Sequence, residues 1–104
     1  MVKREIKRII NNYLITLKKN NINYEKVFLF GSFAKEKSSV NSDIDLAIII
    51  NEVDDRFKLQ LLLMKLRRNI DLRIEPHPIA KDEFTENNPF ASEIMRYGIE
   101  VGLT

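Results

Sequence analysis

Residues Val27 to Ile50 read VFLFGSFAKEKSSVNSDIDLAIII, and the fold turns on them. An apolar run stops at Gly31-Ser32, ten residues of mostly small and charged side chains follow, and a second apolar run opens at Asp43-Ile44-Asp45. Both apolar runs, Lys26–Phe30 and Asp43–Ile50, are β-branched, aromatic or aliphatic and too short for good helices, so they read as strands. On an extended chain, side chains two apart share a face. Asp43 and Asp45 therefore project together, roughly 6.5–7 Å apart at Cα. Ile44, Leu46, Ile48 and Ile50 take the opposite face and are expected in the core. Two adjacent carboxylates on an apolar strand repel each other and resist burial, and a cation between them removes both penalties. Hard oxygen donors of this kind suit Mg²⁺, which completes its shell with water and phosphate oxygens.

Gly31 permits positive φ and a close backbone approach. Ser32 adds a hydroxyl, and Phe33-Ala34-Lys35-Glu36 is expected to begin a short helix whose free N–H groups face an anion. Lys35 supplies a positive charge to the same place. A phosphate cradle of Gly31, Ser32 and Lys35 beside a metal-binding pair would hold a nucleoside triphosphate by charge and by shape.

Working outward, residues 2–20 place Ile6, Ile9, Ile10, Tyr13, Leu14 and Leu17 on one helical stripe. Lys3, Arg4, Lys7, Arg8, Lys18 and Lys19 line the other side as a solvated face. Asn51 to Asp55 breaks the second strand, and Asp54 or Asp55 caps a helix over Arg56–Asn69. That helix is apolar around most of its circumference, which points to deep burial or to an interaction surface, for a partner or for a second copy. Ile70-Asp71-Leu72-Arg73-Ile74-Glu75 alternates and reads as a third strand, with Ile70, Leu72 and Ile74 inward. Asp71, with Glu75 as rival on the same face, is then placed to join the pair on the neighbouring strand. Pro76 and Pro78 are expected to end it, which leaves His77 in a loop without an assigned role. Asp82-Glu83-Phe84 reads as a helical turn. Asn88 caps a last helix with Pro89 first and Gly98 as stop, and Ile99–Leu103 adds a closing edge strand.

Composition sets the outer limits. The 104 residues make one domain, 44% hydrophobic and 31% charged, as in ordinary globular proteins. A net charge of +2 is too small to indicate nucleic acid. There is no cysteine for a disulfide or thiolate metal site. No apolar run approaches the ~20 residues of a membrane helix, and from the charged MVKREIKR stretch no signal peptide is expected. The expectation is a cytoplasmic α/β domain, a small mixed sheet with helices packed mainly on one face.

Gly31-Ser32, ten residues, then Asp43-Ile44-Asp45 resembles the G-S-x(10)-D-x-D signature of the DNA polymerase β nucleotidyltransferase superfamily, and the short chain is similar to its minimal nucleotidyltransferases. Members often carry Ala-Arg-Gly after the Gly-Ser pair, where this chain has Ala34-Lys35-Glu36. The resemblance implies Mg²⁺-dependent transfer of AMP from ATP. Asp43 and Asp45 would bind one or two ions, and Asp71, on the strand after the helix, would bind the second and act as base. It further implies an antitoxin that modifies a tyrosine of a helical HEPN toxin. The other readings are a module that masks its partner sterically, or a subunit that modifies a small molecule.

Overall fold

The computed structural model describes residues 2–34 and 41–102. Helix α1 (Arg4–Lys19) is followed by strands β1 (Tyr24–Phe30) and β2 (Ile44–Ile50), helix α2 (Arg56–Leu66), strand β3 (Ile74–Ala80), helix α3 (Pro89–Tyr97) and strand β4 (Ile99–Val101). One mixed sheet has the order β3-β2-β1-β4; β3 runs parallel to β2, and the other pairings are antiparallel.

The principal core lies on one face of this sheet. Ile44, Leu46, Ile48, Ile50 and Ile74 meet Ile6, Ile10, Tyr13, Leu14 and Leu17 of α1 there, with Leu63 of α2. At about 1.5–3 kcal/mol for each large apolar side chain fully buried, this face dominates the stabilisation. Tyr13 is fully buried, and its hydroxyl donates to the carbonyl of Leu63 at 2.8 Å, tying α1 to α2. Burial pushes its phenol well above the usual tyrosine range, with the charge of Arg67 opposing.

The opposite face is covered over part of its length. Ala47, Ile49, Ile79 and Ile94 form a second small cluster beneath α3, flanked by Phe28, Phe30 and Phe84. Five consecutive residues of β2, Leu46 to Ile50, are consequently buried, although alternation alone assigned the core only every second one. Helices α1 and α2 cover one face and α3 the other.

The helix signals act as their chemistry requires. Asp55 caps α2 by accepting from the Lys58 amide at 3.1 Å, and Asn88 caps α3 by accepting from Phe90 and Ala91. Helix α2 ends at Leu66 in a 3-10 turn over Arg67–Asn69 rather than continuing as α-helix. Only Leu63 of α2 is buried; Phe57 and Leu61 are 72% and 54% exposed.

The third strand corrects the expectation. It does not span Ile70–Glu75 but begins at Ile74 and runs through both prolines to Ala80. Leu72, expected inside, is 66% exposed. β3 is an edge strand, and the carbonyls of Ile74 and Pro76 point outward, where Arg67 Nη1 and Gln60 Nε2 donate to them. In an extended chain a residue's N–H and C=O lie on the same side, so Pro76 and Pro78 lack donors only where the ladder needs none.

Candidate active site

The register of the three long strands assembles the site. Asp45 of β2 faces Phe30 on one side and Glu75 on the other, and Ala47 faces His77. Asp45, Phe30, Glu75 and His77 therefore share the face not used by the principal core, at the end where β1 stops. Asp43, just ahead of β2, is exposed and shares that face by strand alternation.

Gly31 follows Phe30 directly and has φ +75°, a conformation that glycine adopts freely. A Cβ added there would lie 2.5 Å from Asp45 Oδ2. The glycine is thus fixed twice, by the turn and by a carboxylate against its backbone. Ser32 is exposed in the turn. Lys35, assigned to the phosphate cradle, and Glu36, expected with it in a short helix, lie outside the described residues.

The other oxygen, Asp45 Oδ1, is 3.2 Å from His77 Nε2. The imidazole meets Phe30 edge-on, ring centroids 5.0 Å apart, and Phe90 at the start of α3 stands 5.5 Å from Phe30. Sequence reasoning missed His77 by ending the strand at the prolines. The signal was its parity, two residues beyond Glu75 on the same face.

Asp71 lies three residues ahead of the first ladder pair, Ile44 with Ile74, and is turned into its own loop. Its carboxylate accepts from the Arg73 amide at 2.8 Å and from the guanidinium at 3.1 and 2.9 Å. Those bonds from Arg73 hold its carboxyl below the usual aspartate range. Glu75, the rival, is the residue level with Asp45, and Arg67 reaches one of its oxygens at 3.4 Å.

The donor set suits a hard cation. Asp43, Asp45 and Glu75 offer only carboxylate oxygens, and Gly31 leaves open the space beside Asp45 Oδ2 that any side chain would fill. Among the described residues, no group of three histidine, cysteine, aspartate or glutamate side chains is arranged to hold a metal ion, so Asp43, Asp45 and Glu75 do not form a closed site. Such an ion would take the rest of its shell from water and phosphate.

Comparisons with known proteins agree with this architecture. The family model "Polymerase beta, Nucleotidyltransferase" matches residues 10–100. A candidate nucleotidyltransferase from Sulfolobus solfataricus superposes with a TM-score of 0.67 at 14% identity, over 92% of this chain and 78% of that one. A toxin–antitoxin structure with AMP-PNP gives 0.62 at 23% identity, over 90% and 73%. A mutant of the toxin–antitoxin MntA–HpeT gives 0.60 at 18%, over 90% and 73%. No curated protein matches the sequence. Among the described residues no helix is long and apolar enough to cross a membrane.

Proposed function

Since the chain belongs to the polymerase beta nucleotidyltransferase family, we propose that it transfers AMP from ATP to a tyrosine hydroxyl of a HEPN-type toxin, and acts as its antitoxin. The observation that carries the catalytic part is the approach of Asp45 Oδ2 to Gly31, which combines an anionic ligand with an open backbone turn. Toxin–antitoxin structures among the fold neighbours, one of them with AMP-PNP, support the choice of nucleotide and of a protein acceptor.

In this reading Gly31 and Ser32 receive the phosphates through backbone and hydroxyl donors, and Lys35 adds a positive charge. Asp43 and Asp45 would hold Mg²⁺. Glu75, level with Asp45, takes the third carboxylate position in place of Asp71. Mg²⁺, when bound, neutralises phosphate charge and stabilises the leaving pyrophosphate. Glu75 accepts the proton of the acceptor hydroxyl, whose oxygen bonds to the α-phosphorus as the bond to pyrophosphate breaks. Positioning and charge compensation account for most of the acceleration in such reactions.

The acceptor needs a dock, and the outer face of α2 offers one in Phe57, Leu61 and Leu62, all exposed. The test mixes the purified chain with labelled ATP, Mg²⁺ and the product of the neighbouring gene. Label on the partner is expected, with loss of about 100-fold or more in Asp43→Asn and in Asp45→Asn. The double change Phe57→Glu, Leu61→Glu should abolish complex formation and leave the melting temperature within a few degrees. A tight complex that never acquires label would replace the enzyme with a steric binding module.

A further inference from the structure

The two oxygens of Asp45 face different surroundings. Oδ2 lies against the Gly31 turn and Oδ1 against His77. A carboxylate only accepts hydrogen bonds, so Nε2 of His77 is the donor at 3.2 Å. Ala47, not Asp45, is the ladder neighbour of His77, so the imidazole reaches Asp45 diagonally across the β2–β3 pair. That reach needs a fixed ring, and the aromatic neighbours provide it. Phe30 packs edge-on at 5.0 Å and Phe90 lies 6.0 Å away at a 58° tilt. Phe30 is itself the β1 partner of Asp45. The carboxylate, the imidazole and the phenyl ring thus form one closed contact set, completed by α3.

We infer that His77 is a positioning residue for Asp45: it holds Oδ1 so that Oδ2 stays aimed at the space beside Gly31. The inference rests on the reading of Asp45 as a metal-holding residue. A carboxylate free to rotate would present either oxygen and lose orientation each time a cation leaves. Hydrogen bonds to ligating side chains are typically worth 10–100-fold in metal affinity or activity.

The test measures the apparent dissociation constant of Mn²⁺ in the presence of a non-hydrolysable ATP analogue, for the full chain and three variants. His77→Phe keeps the ring packing and loses the donor, and affinity should fall about 10-fold. His77→Gln restores an amide donor and should recover most of the loss. Asp45→Asn should lose Mn²⁺ binding outright. Melting temperatures of the metal-free variants, expected within a few degrees of the parent, separate local from global effects. Wild-type affinity in His77→Phe, with binding lost in Asp45→Asn, overturns the role of His77 alone. Equal weakening in the Phe and Gln variants also overturns it, because the hydrogen bond is then not the cause. Unchanged binding in Asp45→Asn removes the metal reading and this inference together.

Discussion

Gly31 and Asp45 stand so close across β1 and β2 that one added carbon at residue 31 would lie 2.5 Å from Asp45 Oδ2.

Gly31→Ala should therefore act in two ways. The positive φ alone destabilises by about 1–2 kcal/mol in an L-residue, visible as a lowered melting temperature. The methyl group also displaces the Asp45 carboxylate, so nucleotidyl transfer should fall further than the fraction unfolded accounts for. Full transfer per folded molecule would show that this contact has no functional meaning.

Glu75→Gln and Asp71→Asn separate two candidates for the third carboxylate. The first should lower the turnover number by about 100-fold or more with stability little changed. The second should leave turnover within a few-fold and weaken the loop that Arg73 closes. The reverse pattern would return the role to Asp71.

Asp71 also predicts an acid dependence. Its carboxyl is lowered in the folded state by Arg73, so its contribution is complete above the unfolded aspartate value of about 3.9. It disappears as pH falls through the lower folded value. Melting curves of the parent and of Asp71→Asn should differ at pH 5 to 7 and converge at the acid end. A gap that stays constant with pH would mean that the loop, not the charge, is what the substitution disturbs.

Tyr13 gives the opposite sign. Its phenol is raised by burial, so its contribution is present below pH about 10 and is lost as pH climbs toward the raised value. Tyr13→Phe leaves the Leu63 carbonyl without this donor and should cost about 1–3 kcal/mol near neutrality. It should also flatten alkaline unfolding. An alkaline profile identical to the parent's would contradict this assignment.

The extent to which the sequence foretold this arrangement differs by element. The stripe of α1, the caps Asp55 and Asn88, and the two strands around Gly31 follow from local patterns that packing reinforces. Helix α2, apolar all round, allowed burial or display, and the fold leaves Phe57 and Leu61 at the surface. β3 misled for a specific reason. Asp71, Glu75 and His77 share one parity, so alternation ranks them equally, and prolines ordinarily argue against a ladder. Only the partner strand decides which of them stands level with Asp45, and that pairing is a long-range fact.

The outward prolines of β3 have a consequence for assembly. With residues 76 and 78 unable to donate, and the carbonyls of Ile74 and Pro76 already engaged by Arg67 and Gln60, this flank is a poor template for an incoming strand. Lengthening of the sheet there by another polypeptide, whether a recruited peptide or the first layer of a fibril, is disfavoured, and stable association on that side falls mainly to side chains.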